Sequence, residues 1–393
     1  MKTTGQDFWS VSWRQLRRNP LAMGGMWFVA LLFLLATYAP YISCQVPFRW
    51  EGPEGVAWPF FHELFNRNIV TSVVDLGFNI LSLLLPVALL ACQWLSLKRV
   101  LMGTVGLLLG GLLLVLWLNP REAYTPYPSL AYGKPEAVFP PVALGIRSND
   151  TLDTKKPPGY TDAMGRKFWF GSDDKGRDVL SLILYGTRIS LTIGLLAVSI
   201  YVFIGVILGS LAGYLGGWVD MLISRLVEMM ICFPSLIIIM TMVAFIPKGE
   251  RSIFHVMLVI GITSWTGVAR LVRAEFLRLR NLDFTVAARA LGGRNLRVIF
   301  RHVLPNALGP VIVSAALGVP AAILTESGLS FLGLGDVESP SWGQVLYSGR
   351  NCGVADFPWM IHTPGIAIFL TVSAMNLLGD GLRDALDPKL RGR

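Results

Sequence analysis

Repeated apolar runs, each long enough to cross a lipid bilayer, constrain the fold of this chain more than any other feature. A helix needs about 20 consecutive apolar residues to span the hydrocarbon core. The predicted spans are Leu21–Ala39, Thr71–Trp94, Val100–Leu118, Ile189–Ala212, Arg225–Ile246, Ile253–Leu271, Leu304–Leu324 and Ile361–Leu378. The predicted fold class is therefore an all-α integral membrane protein, a polytopic bundle of about eight transmembrane helices.

The composition supports this class and excludes others. Charged residues make up 15% of the 393 residues, against about 25% in a typical soluble domain. The net charge of +9 comes largely from arginines placed beside the apolar runs, which is typical of loops on the cytoplasmic side of a membrane. Because aromatic residues are not interleaved with these basic residues, the sequence does not predict nucleic-acid binding.

The placement of loop arginines predicts which side of the membrane each segment occupies. With eight spans, the N-terminus, the loop from Arg270 to Arg301 and the C-terminal tail all lie on the same, cytoplasmic side. The predicted segments are a cytoplasmic N-terminus 1–20, a first span 21–39, a pair of spans 71–118, an extracytoplasmic segment 119–188, a membrane core 189–380 with a cytoplasmic loop 272–303, and a cytoplasmic tail 381–393.

One polar stretch between spans, Asp283–Asn306, has the pattern of two short helices joined by a turn. Asp283 is the expected N-cap of the first helix, and Asn295 that of the second. A small apolar face recurs at i, i+3, i+4 and i+7 of the first helix, formed by Phe284, Ala287, Ala288 and Leu291. Gly292-Gly293 is the expected stop. Pro305 is expected to bend or end the second helix.

The ionisable residues predict no catalytic or metal centre. The sequence has no GxxxxGK[ST] phosphate-binding loop, no HExxH and no GxSxG motif, so no ATPase site, cofactor or metal is expected. Four carboxylates lie in or beside predicted spans, where they are candidates for pathway or anchoring roles: Asp75, Glu228, Glu326 and Asp380.

The spacing within the polar stretch resembles a known motif. Ala287-Ala288, then Gly292 after three residues, and Leu304-Pro305 further on are similar to the "EAA" coupling loop of ATP-binding cassette importer permeases. One residue departs from that pattern, because Val286 stands where the family has glutamate. The resemblance implies that an ATPase docks on Phe284, Ala287, Ala288, Leu291, Gly292, Leu304 and Pro305.

Further blocks resemble the "C" permease of oligopeptide and dipeptide importers. These are Gly171–Ala197, Leu324–Gly335 with Pro340–Leu346, Pro358–Phe369 and Asn376–Pro388. They occur in the order of that family, and the resemblance covers residues 171–393, while the first span fits more loosely. The family usually has six spans, so the pair 71–118 is an insertion to which the sequence assigns no role.

The resemblance implies a function and a set of partners. The chain would be a peptide permease in the bacterial inner membrane, assembled with a second permease, two cytoplasmic ATPases and an extracytoplasmic substrate-binding protein. Nickel, glutathione or another small solute remains an alternative substrate. A secondary transporter or channel is an alternative class, although the sequence shows no clear internal repeat and only sparse charges in the spans.

The predicted topology can be tested by cysteine labelling in intact cells. A membrane-impermeant thiol reagent should label a cysteine introduced at Ser148 but not one introduced at Arg99. Labelling of both positions would show that residues 71–118 do not cross the membrane as two helices.

Overall fold

The computed structural model is mainly helical, as the apolar runs predict. It describes residues 8–52, 55–68, 70, 72–120, 132, 137–146, 153–247, 249–336, 339–353 and 356–386. The tail basic residues Lys389, Arg391 and Arg393 lie outside this part of the chain, as do parts of the predicted segment 119–188. By proximity, the chain divides into one unit of Met1–Ala30, Ile193–Val337 and Ile368–Arg393, and another of Leu31–Thr192 and Glu338–Ala367.

The first part of the chain alternates helices with short strands. Its helices are α1 (Phe8–Arg18), α2 (Pro20–Thr37), α3 (Ala39–Ile42), α4 (Pro59–Glu63), α5 (Val73–Ala91) and α6 (Leu97–Leu118). Its strands are β1 (Arg49–Gly52), β2 (Gly55–Ala57), β3 (Ala137–Val138), β4 (Tyr160–Thr161) and β5 (Lys167–Phe168). The strands form two small antiparallel sheets, with orders β2-β1-β3 and β4-β5.

The remainder is helical wherever the structure describes regular elements. The helices are α7 (Val179–Leu215), α8 (Gly217–Cys232), α9 (Ser235–Ala244), α10 (Ile253–Thr263), α11 (Thr266–Leu279), α12 (Asp283–Ala290), α13 (Asn295–Arg297), α14 (Leu304–Phe331), α15 (Trp342–Cys352) and α16 (Trp359–Leu386). A π-helical turn, Val298–Val303, connects α13 to α14 without a break.

Among the described residues, seven helices are long and apolar enough to cross a membrane, or eight if the bent pair α8–α9 is counted as one span. The predicted span Arg225–Ile246 is wrong as a continuous helix, because α8 and α9 meet at an angle of 82°. The break falls at Phe233, which has extended backbone, and Pro234 follows it. A proline disfavours helical backbone in the residue before it, so the apolar run continues while the helix does not.

A buried arginine holds the inserted pair α5–α6 to the rest of its unit. Arg188, on α7, is fully buried. Its Nη1 lies 3.2 Å from Asp75 Oδ1 and donates to Asn79 Oδ1 at 2.9 Å, both on α5. Its Nε donates to the Ala36 carbonyl of α2 at 2.6 Å. Since a buried guanidinium must satisfy its donors inside the protein, these partners fix α5 against α2 and α7.

The aspartate-rich stretch before α7 is organised by turns. Asp173 accepts hydrogen bonds from the backbone N–H groups of Lys175 and Arg177 at 2.9 and 2.8 Å, and its carboxylate pairs with the Arg177 side chain. Asp162 makes the same contacts with Met164 and Arg166. Asp178 accepts from the Ser181 N–H at 2.8 Å, which caps the start of α7. The aspartates of this stretch therefore close turns and cap a helix.

We expect Arg188→Met to destabilise the protein by about 3–5 kcal/mol, because it leaves the Asp75 carboxylate buried without its cation. The thermal unfolding midpoint of the purified protein in detergent measures this effect. Adding Asp75→Leu to Arg188→Met should recover part of the loss.

Arg225→Met provides the control, because the Arg225–Glu228 pair is exposed on α8. The midpoint should hardly change for this variant. If Arg188→Met and Arg225→Met lower the thermal unfolding midpoint equally, the anchoring role of Arg188 is contradicted.

Candidate functional site

The stretch that resembles a coupling loop folds as two helices joined at a tight turn. Gly292 has a φ of +79°, and its N–H donates to the Arg289 carbonyl at 2.9 Å. The Gly293 N–H donates to the Ala288 carbonyl at 3.1 Å. This pair of bonds is the Schellman arrangement that ends a helix. The predicted glycine stop is therefore confirmed.

The predicted N-caps are each displaced by one residue. Leu282 is the N-cap of α12 and Asp283 is its first helical residue, while Arg294 and not Asn295 is the N-cap of α13. Neither N-cap makes a side-chain capping bond. A different side chain stabilises the start of α12. The buried Thr285 hydroxyl donates to the Leu279 carbonyl at 2.9 Å and so connects the start of α12 to the end of α11.

The predicted apolar face of α12 points away from the rest of the unit. Leu291 is 87% exposed and Phe284 is 40% exposed. Ala287 and Gly292 are exposed as well, and Ala288 is half-buried. An apolar face this open has no intramolecular packing role, so it is available to another molecule.

The opposite side of α12 is attached to α7. Arg289 Nε donates to the Tyr214 hydroxyl at 3.0 Å, and its guanidinium lies 4.6 Å from the centre of the Tyr214 ring. Sequence analysis missed this contact, because the two residues are 75 positions apart and neither belongs to the motif. The contact fixes the rotation of α12 and thereby leaves its apolar face outward.

The second helix of the stretch runs directly into α14. The prediction that Pro305 ends this helix is wrong, because the helix continues through Pro305 to Phe331. The π turn directly before Leu304 already departs from the regular hydrogen-bond pattern of an α-helix. The apolar side chains around the π turn differ in exposure: Ile299 and Val303 are buried, whereas Leu296 is 62% exposed. Of the other two predicted coupling residues, Pro305 is exposed and Leu304 is half-buried.

Close helix packing joins α11, which leads into this stretch, to α7. Gly205, Gly209 and Gly213 lie on one face of α7. A Cβ at Gly205 would lie 2.6 Å from the Val268 Cβ, and one at Gly213 would lie 2.6 Å from the Phe276 Cβ. Small residues at this spacing let two helices approach closely in a membrane. An ion pair between Arg273 and Asp220 adds α8 to the same group.

A groove with a volume of about 1040 Å³ lies within the same unit. One wall is α14, whose lining residues run from Pro305 to Thr325. A helix of this length covers about 30 Å, the thickness of the hydrocarbon core. The charged lining residues, Glu275, Arg278 and Arg383, come from the last turns of α11 and α16, and the remaining lining is neutral.

The four carboxylates in or beside the spans do not line this groove. Asp75 pairs with Arg188, and Glu326 is fully buried and accepts from the Ser330 hydroxyl at 2.6 Å. Glu228 pairs with Arg225 at an exposed position, and Asp380 is exposed. The pair with Arg188 anchors Asp75, whereas the Ser330 contact of Glu326 lies within α14. Among the residues that the structure describes, no group of three or more His, Cys, Asp or Glu could hold a metal ion.

Comparison with known proteins identifies two family regions in the chain. Residues 205–392 match the family described as the binding-protein-dependent transport system inner membrane component. Residues 7–51 match the N-terminal transmembrane domain of oligopeptide transport permease C. The second match shows that the N-terminal span also belongs to this kind of permease.

Individual relatives extend the match. The dipeptide transport system permease protein of Alkalihalophilus pseudofirmus is 41% identical over 65% of this chain and 82% of its own length. The oligopeptide transport system permease protein of Bacillus subtilis is 38% identical over 65% of this chain and 81% of its own length. The glutathione transport system permease protein of Pectobacterium atrosepticum is 42% identical over 57% of this chain and 73% of its own length. The chain is thus a multi-pass membrane protein that belongs to the inner-membrane permease components of binding-protein-dependent ATP-binding cassette importers.

Proposed function

We propose that this permease forms one half of a translocation path for peptides, and that partner ATPases drive transport by docking on α12. The observation that carries the proposal is the apolar face of α12, which is exposed although its helix is firmly attached to α7. A face held in place and left open is suited to binding a partner.

The groove along α14 supports the proposal of a translocation path. It runs for about 30 Å beside a helix that contains Pro310 and Pro320. Helix-breaking residues are tolerated within a membrane where they line a cavity. Because most of the lining is neutral, peptides with different side-chain charges would meet similar surroundings along it.

The complete importer would contain four further subunits. A second permease would close the open side of the groove. Two cytoplasmic ATPases would bind the coupling segments, and an extracytoplasmic binding protein would deliver the substrate. ATP would be hydrolysed by the ATPases, since this chain has no phosphate-binding loop.

Peptides are the preferred substrate class because two relatives that match 65% of this chain bear peptide names. Glutathione is the second candidate, supported by the relative at 42% identity. Both are peptide-like molecules with amide groups and a free carboxylate. Uptake of labelled dipeptides and of labelled glutathione by cells with and without the gene would distinguish the two.

Enlarging the docking face should uncouple transport. We expect Ala288→Trp to lower peptide uptake by at least about tenfold, since an indole on this face prevents close approach of the ATPase. Membrane insertion should be unaffected. A cysteine at Ala288 should crosslink to the ATPase, with a yield that changes when ATP is added, because coupling requires different contacts in the two states.

Ala163→Trp is the matched control, since Ala163 is exposed and lies in the turn between β4 and β5. It should leave ATP-driven uptake unchanged. Normal uptake by Ala288→Trp, with no crosslink in either nucleotide state, would refute the docking role of α12.

The purified chain alone should neither bind nor hydrolyse ATP. Turnover in proteoliposomes should appear only when the second permease and the ATPases are included. ATP hydrolysis by the isolated chain, free of contaminating ATPases, would overturn this assignment of roles.

A further inference from the structure

One contact within the groove joins α7 to α14 in a way that only glycine permits. The hydroxyl of Tyr201, on α7, occupies the position that a Cβ at Gly318 would take. The Cζ atom of Tyr201 lies 2.8 Å from the same position. Any residue other than glycine at position 318 would therefore displace the tyrosine or the helix.

The two residues lie at the same depth. Tyr201 is 14 residues before the end of α7 at Leu215, and Gly318 is 14 residues after the start of α14 at Leu304. With a rise of about 1.5 Å per residue, both lie about 21 Å from those helix ends. The contact is therefore well inside a 30 Å hydrocarbon core, measured from the helix ends beside the coupling segment.

Helix α14 is locally weakened on both sides of this contact. Pro310 and Pro320 lie inside the helix. Each proline lacks the N–H group that would otherwise bond to the carbonyl four residues earlier. The segment that carries Gly318 can therefore change its bend with fewer broken hydrogen bonds than an ordinary helix.

The Tyr201 hydroxyl is also placed where the substrate would pass. Tyr201 is 7% exposed and lines the groove with Gly318. Within the part of the chain that the structure describes, this hydroxyl makes no hydrogen bond to another residue. The hydroxyl therefore borders the groove, where it can contact a passing substrate.

We propose that Tyr201 is a positioning residue for transport: it wedges against Gly318 and sets how far α14 stands from α7, and hence how wide the groove is. The proposal rests on the groove being the translocation path. The coupling segment continues into α14 as one helix from Asn295 to Phe331. A movement of the docked ATPase would therefore reach Gly318 along α14 and change the groove at the wedge.

The test measures peptide transported per ATP hydrolysed by the complete importer in proteoliposomes. Gly318→Ala should lower this ratio by at least about tenfold, because the added methyl group overlaps the tyrosine hydroxyl. Substrate-stimulated ATP hydrolysis and the yield of assembled complex should remain near those of the unmodified importer. Those two readouts report whether the coupling segment and the assembly still work, independently of the wedge.

Gly328→Ala is the matched control. Gly328 lies on the same helix but does not line the groove, and a Cβ there would meet no atom within 4 Å. Its ratio should stay within about twofold of the unmodified value. Tyr201→Leu alone should also lower the ratio, because it leaves the space beside Gly318 empty. Combining it with Gly318→Ala should recover most of the lost ratio, since the methyl group then fills the space that the tyrosine hydroxyl left.

Each result decides the matter. A normal ratio for Gly318→Ala, or a double variant no better than the single one, overturns the wedge. If Gly318→Ala does not assemble, Tyr201→Leu alone is measured. A lowered ratio with normal ATP hydrolysis then supports the wedge, and an unchanged ratio overturns it. If the unmodified importer shows no stimulation of ATP hydrolysis by peptide, the proposed function itself is refuted.

Discussion

The absence of water inside a bilayer is the constraint on which this structure depends. Each backbone N–H and C=O at that depth must find a partner within the protein, and a helix satisfies most of them locally. Irregular backbone is therefore expensive in the membrane. The chain places its irregularities at particular points: the bend at Phe233-Pro234, the π turn before α14, and the prolines of α14. The last two lie on the route between the docking face and the groove.

The same constraint explains how one unit combines close helix packing with a locally weakened helix. Helices α7 and α11 meet along glycines, where backbones approach closely and many dispersion contacts form. Helix α14 meets α7 at Gly318, against Tyr201, and at Gly194, where a Cβ would lie 2.8 Å from a side-chain atom of Val319. Close contacts at glycines therefore hold α14 as well as α11 to α7. The two interior prolines weaken the hydrogen bonding of α14 itself.

Sequence patterns predicted the features that depend on residues close together in the chain. The spans, the glycine stop at Gly292 and the open face of α12 follow from periodicity and from the preferences of single residues. The N-cap residues were displaced by one position, which is within the usual uncertainty of helix ends. The bend at Pro234 was hidden because hydropathy continues across it. Contacts between distant residues, such as Arg188 with Asp75, Arg289 with Tyr214 and Tyr201 with Gly318, leave no periodic signal and required the fold.

The continuous helix Asn295–Phe331 has 37 residues, so it is about 55 Å long and exceeds the hydrocarbon thickness by about 25 Å. With Pro310 as the pivot, the section from Asn295 to Pro310 would act as a lever arm of about 22 Å. A swing of about 10° would move the Asn295 end by about 4 Å, which is an ordinary contact distance between two carbon atoms. A rearrangement no larger than one layer of atoms at the docked partner would therefore be enough to tilt the helix wall of the groove.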